Sequence, residues 1–118
     1  MTAGGQLAGG AAEDLAARYL EGQGLAIVER NWRCRAGEID LVARDGATLV
    51  FVEVRLRRNR AFGGAAESIT ATKRRRLRLA AEHYLARLPA EPPCRFDALL
   101  LDELAIERIE WLRSIDLD

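Results

Sequence analysis

The chain has 118 residues, 49% apolar and 31% charged, which bounds it to one domain and excludes a disordered chain; no apolar run approaches the roughly 20 residues that span a bilayer, so no membrane partner is expected. The opening MTAGGQLAGG has no basic, apolar leader pattern and reads as a flexible tail over residues 1–10 before a single domain over 11–118, while Cys34 and Cys94, outside any C-x-x-C spacing, read as reduced thiols of a cytoplasmic protein. Net charge is zero but segregated: residues 1–53 carry −3, residues 54–78 carry +8 and residues 79–118 carry −5, and a local +8 attracts phosphate backbones unless it is simply a solvated helix face.

Ala11 to Gln23 has Leu15, Ala16, Tyr19 and Leu20 at helical spacing, Glu13 in the first turn and glycines at the stop, which predicts an amphipathic helix. Leu25 to Arg33 follows as a strand centred on Ile27 and Val28. The run from Gly37 to Arg55 predicts a β-hairpin about Asp45-Gly46, with Arg44 opposite Ala47, Val42 opposite Leu49, Asp40 opposite Phe51 and Glu38 opposite Glu53. Parity then puts Glu38, Asp40, Val42, Leu49, Phe51, Glu53 and Arg55 on one face and Ile39, Leu41, Ala43, Val50, Val52 and Val54 on the other. Both faces are largely apolar, so both should be covered.

After a loop at Phe62-Gly63-Gly64, a helix is expected from about Thr70 to Leu88, with Leu77, Ala80, Ala81, Tyr84, Leu85 and Leu88 as its apolar stripe. Lys73, Arg74, Arg75, Arg76 and Arg78 crowd its first two turns, where cations oppose the helix dipole. Arg95 to Leu101 and Ile106 to Ile115 complete the order as two strands. His83 reads as a surface residue; a single histidine argues against a His/Cys zinc site, and Trp32 and Trp111 read as core or as base-stacking platforms.

In the expected register Asp40 and Glu53 are diagonal neighbours with backbones roughly 7–8 Å apart, close enough for their side chains to converge on one divalent ion. Mg²⁺ takes one or two carboxylates and fills its other positions with water and phosphate oxygens. Two close carboxylates on an apolar face also repel, and without a cation one is driven towards protonation. The alternative is that both acids pair with Arg55, Arg57 or Arg33. Arg57, Arg58, Arg60, Lys73, Arg74, Arg75 and Arg78 are candidate phosphate contacts, which position a nucleic acid without reading its sequence.

The segments AEDLAARYLEGQGL, NWRCRAGEIDLV, LVFVEVRLRR, FGGAAESITATKRRRL and CRFDALL resemble the YraN-like family of predicted bacterial endonucleases, over about residues 11–101. That family is similar to Holliday junction resolvases in the PD-(D/E)XK nuclease superfamily. The resemblance implies an α/β, restriction-endonuclease-like core, helix, three strands, helix, strand, with a mixed central sheet flanked by helices. It implies a Mg²⁺- or Mn²⁺-dependent DNA endonuclease, acting on branched or otherwise structured DNA, with Asp40 and Glu53 as metal ligands. Glu13 on the first helix corresponds to a third acid, with Asp14 as the alternative if the match slips by one. Arg55 stands at the motif's lysine. Arginine supplies charge and a fork of donors but does not deprotonate, so residue 55 is no general base. Lys73 either takes over the lysine's role or holds phosphate. A homodimer is a candidate assembly, since symmetric two-strand cleavage needs a two-fold. Two other classes stay open: a nucleic-acid-binding module of nuclease fold without turnover, and an interaction protein that presents its basic helix to an acidic partner.

Overall fold

In a computed structural model of the chain the described residues are 4–56, 69–102 and 109–117, with side chains from residue 10 onward. The order is α1 (Gly4–Gly22), β1 (Ala26–Cys34), β2 (Gly37–Asp45), β3 (Thr48–Leu56), α2 (Ala71–Leu85), β4 (Cys94–Leu101) and β5 (Ile109–Leu112). The expected helix, three strands, helix, two strands is therefore present. Arg57, Arg58, Arg60 and the Phe62-Gly63-Gly64 loop lie outside the described residues. No described helix is long and apolar enough to cross a membrane.

The five strands form one mixed sheet in the order β1-β2-β3-β4-β5. The first three are antiparallel, β3 and β4 are parallel, and β5 returns antiparallel to β4. A parallel pair needs a crossover, and α2 supplies it. The helices cover opposite faces, as the two apolar sides of the hairpin require. On one, Ala12, Ala16, Ala17 and Leu20 of α1 pack on Leu41, Ala43, Val50, Val52, Leu99 and Leu101. On the other, Leu77, Ala80, Ala81 and Tyr84 of α2 pack on Ile39, Val42, Leu49 and Phe51.

Several boundaries move. The backbone of α1 is helical from Gly4, seven residues before the expected start and through most of the segment expected as a tail, although each interior glycine costs about 0.5–1 kcal/mol relative to alanine. Helix α2 begins after the N-cap Thr70, whose hydroxyl accepts from the Lys73 N–H at 3.2 Å, and ends at Leu85, short of the expected Leu88. Among the described residues the final strand covers Ile109–Leu112 and stops short of the expected Ile115, while its expected start at residues 106–108 lies outside them.

The hairpin register is corrected by two residues. Asp45 pairs with Thr48, Val42 with Phe51 and Leu41 with Val52, so the loop is Gly46-Ala47. Gly46 alone takes positive φ, 61°, as the first central residue of a II′-type loop must, whereas a loop at Asp45-Gly46 would put Asp45 in that region too. A shift of two preserves faces, with one exception: Ile39, placed by parity with Leu41, packs instead beside Val42 under α2. The change of face falls beyond Leu41↔Val52, where the β2–β3 ladder ends.

Cys34 lies level with Gly37 and Cys94 level with Leu49, at opposite ends of the strands and roughly seven residues, or about 23 Å, apart, so both stay free thiols. Trp32 meets Tyr84 edge-on at 5.4 Å and Trp111 meets Tyr19 at 5.9 Å, both as packed rings.

Asp97, fully buried on β4, accepts from Arg95 Nε, Trp111 Nε1 and the Ser114 N–H at 2.9–3.2 Å, and Arg95 also binds Asp45 at 3.0 Å. This network ties the hairpin turn, β4, β5 and the C-terminal segment together. Asp97→Ala removes one of the two carboxylates that pair the half-buried Arg95 guanidinium and strands the Trp111 and Ser114 donors, and is expected to lower unfolding free energy by about 3–5 kcal/mol in urea titrations, with Arg95→Met in the same chain recovering part of the loss.

Candidate carboxylate site

The site forms where the β2–β3 ladder stops. The last β2–β3 pair is Leu41↔Val52, two residues before Val54. The Val54 N–H is taken instead by Asp40 Oδ2 at 2.8 Å, so a side chain replaces a ladder carbonyl and turns the Asp40 carboxyl towards β3. The ladder ends at Leu41↔Val52, and beyond it the Val54 amide holds the Asp40 carboxyl near Glu53, whose charge acts on it.

Both acids are largely withdrawn from water. Burial, then the neighbouring Glu53 and, more weakly, Glu13 and Glu38, push Asp40 up to about 7 against the stabilising Val54 N–H. Burial also raises Glu53, and Lys73 and Arg55 hold it down. Both carboxyls are raised and each acts on the other, so the pair titrates as a unit. Lys73 Nζ stands 3.8 Å from Glu53 Oε2. Glu38, Glu53, Lys73, Arg76 and Leu77 line a pocket of about 220 Å³.

Of the expected site residues, Asp40, Glu53 and Lys73 come together, and Arg55 acts on Glu53 through its charge. Glu13 reaches Asp40 only through its charge. Asp14, its alternative, is ion-paired to Arg30 on the exposed side of α1. Among the described residues no three His, Cys, Asp or Glu side chains come close enough to hold one ion. A pair of carboxylates is the donor set of a hard cation such as Mg²⁺, which needs only one or two.

The phosphate-contact candidates also sort themselves. Arg74 Nε donates to the Ile69 carbonyl at 3.1 Å and its Nη1 to the Asp116 carbonyl at 3.0 Å, tying the start of α2 to the C-terminal segment. Arg75 is exposed, Arg78 half-buried and His83 exposed as expected. Two pocket residues escaped the sequence reading, Glu38 and Arg76. Helical phase carried the signal for Arg76: with Leu77 and Ala80 buried, Lys73 and Arg76 are the cations flanking that stripe.

Gly37 explains why α2 sits so close. A Cβ there would lie 2.7 Å from the Arg76 carbonyl oxygen, so only glycine lets that turn of α2 rest on β2.

Taken together, the fold and site define an α/β protein with a mixed five-stranded sheet, a helix on each face and a half-buried acid pair beside a basic helix start. Residues 12–101 match the model described as "Uncharacterised protein family UPF0102", and the chain belongs to that family, the YraN-like group its motifs resemble. It is 57% identical to the UPF0102 protein of Methylobacillus flagellatus over 87% of this chain and 90% of that one. It is 55% identical to the UPF0102 protein of Nitrosospira multiformis over 92% of each, and 59% identical to that of Cupriavidus metallidurans over 90% of this chain and 78% of the relative.

Two outcomes follow from the geometry. A raised Asp40 binds its proton more tightly folded than unfolded, so its contribution to stability is present near pH 4 and lost as pH rises towards 7. Asp40→Asn keeps an acceptor for Val54 and removes that slope. In EDTA the variant should gain on the wild type between pH 4 and 8, by on the order of 2 kcal/mol in denaturant titrations. Gly37→Ala should displace the start of α2 and lower stability by about 1–3 kcal/mol, read in the same titrations.

Proposed function

We propose that this protein is a Mg²⁺- or Mn²⁺-dependent endonuclease that hydrolyses DNA phosphodiester bonds, built on a restriction-endonuclease-like core. The observation that carries the reading is the Asp40–Glu53 pair, two half-buried carboxyls side by side at the open end of a hairpin and facing cations. An arrangement that drives an acid up to about 7 is unfavourable for a purely structural pair at neutral pH, and a divalent cation would offset it. Asp40 and Glu53 would hold the ion, which when bound polarises a phosphate oxygen and lowers the pKa of a water.

The protein's own groups do the rest. The Val54 N–H fixes the Asp40 carboxyl so that one oxygen stays available. Arg55, beside Glu53 on β3, is a permanent cation for charge developing on phosphate. Lys73, 3.8 Å from Glu53, adds a second cation at the pair. Glu13 adds negative charge that favours cation binding. Branched or structured DNA, a two-fold homodimer and a cytoplasmic setting belong to the same reading.

The test is cleavage of linear, nicked and four-way-junction DNA with Mn²⁺. Asp40→Ala and Glu53→Ala should each lose at least about 10²-fold in rate, and EDTA should abolish cleavage. Equal cleavage by all three proteins would sink the mechanism. A second reading, a nucleic-acid-binding module without turnover, draws on Arg55 at the motif's lysine and on Glu13 acting only at a distance. Calorimetry distinguishes them: no heat of Mn²⁺ binding alongside salt-sensitive DNA binding selects the module.

A further inference from the structure

Five cations follow one another closely at the start of α2, and the structure gives them different neighbours. Arg74 is tied to Ile69 and Asp116, and Arg75 points to solvent. Lys73 and Arg76, three residues apart and so on one side of the helix, line the pocket that also contains Glu53. Arg76 is moreover the residue whose backbone is seated against β2. Its carbonyl oxygen occupies the space that any side chain at position 37 would need. The chain thus gives up a side chain on β2 to bring this turn of α2 against the acid pair, an approach that local helix stability does not require.

Three of the pocket's charged groups have evident counter-charges. Glu38 pairs with Arg33 at 3.3 Å, and Lys73 stands 3.8 Å from Glu53. Arg76 brings a planar fork suited to two oxygens of one phosphate, and it sits one turn beyond Lys73 on the pocket wall.

We propose that Arg76 and Lys73 form a phosphate clamp, Arg76 gripping a backbone phosphate of duplex DNA in the pocket while Lys73 bridges that phosphate to Glu53. The proposal rests on the nuclease reading for its choice of ligand and adds a substrate-holding residue to it. Because the clamp grips phosphate, it contributes affinity and register without sequence preference. Arg76 is exposed on the helix surface, so its replacement leaves the core intact.

The experiment measures binding of a fluorescein-labelled 20-base-pair duplex, in EDTA, by wild type, Arg76→Ala, Arg76→Lys and the neighbouring Arg75→Ala, at several salt concentrations. All four proteins are first checked for equal melting temperature. Arg76→Ala is expected to weaken binding about tenfold and to reduce the slope of log affinity against log salt by about 1, with partial recovery in Arg76→Lys. Arg75→Ala should change affinity less than twofold. Arg76→Ala within twofold of Arg75→Ala overturns the clamp, as does a wild type that fails to bind the duplex. Cleavage with Mn²⁺ is read separately on the same proteins. Activity that Asp40→Ala abolishes and Arg76→Ala leaves unchanged removes the clamp and keeps the nuclease; a binding defect in Arg76→Ala without any wild-type cleavage does the reverse.

Discussion

The hydrogen bond from the Val54 amide to the Asp40 carboxylate is where this architecture turns from a sheet into a site. A continuing antiparallel ladder would give that amide a backbone carbonyl of β2. Satisfying it with a side chain lets β2 part from β3 without leaving a buried donor unpaired. It also fixes a carboxyl that would otherwise avoid this apolar end of the sheet, and Ile39 is turned under α2 in the process. Burial and the adjacent Glu53 then raise Asp40 to about 7. Local backbone bonding and the electrostatics of the site are thus one feature.

The rest of the fold braces that end of the sheet. Parallel pairing of β3 and β4 requires the crossover helix, and Gly37 lets the crossover land close enough to set Lys73 against Glu53. At the far end, Asp97 joins Arg95, Trp111 and Ser114, while Arg74 and the Phe96 carbonyl hold the C-terminal segment against α2 and β4. The basic helix start is therefore anchored on two sides, which counters the unfavourable placement of cations at the positive end of a helix.

Much of this was legible in the chain. Periodicity of 3.6 over Leu15 to Leu20 and over Leu77 to Tyr84 marked both helices, and the two apolar faces of the hairpin announced that both would be covered. Asp40, Glu53, Arg55 and Lys73 were readable as a group because parity survives a shift of two residues. The register was not. Asp45-Gly46 admits a loop at Asp45-Gly46 or at Gly46-Ala47, and the choice depends on which residue must accept positive φ. Nor was Arg76 distinguishable within a run of four cations until the buried stripe fixed the phase of the helix. The family assignment came from motif order along the chain, and the match over residues 12–101 bears it out.

The sequence by itself determined the order of elements, the two-sided burial of the hairpin and the identity of the acids and cations that share its end. Those are properties of local pattern, written in side-chain period and turn chemistry. Only the tertiary structure decided that the Val54 amide holds the Asp40 carboxyl, that Glu13 acts on it at a distance where Asp14 is engaged with Arg30, and that Arg76 lines the pocket. Each depends on how far apart two elements pack or where a ladder ends. Such distances are set by contacts between residues remote in the chain, a bare Cα at Gly37 against the Arg76 carbonyl being the clearest.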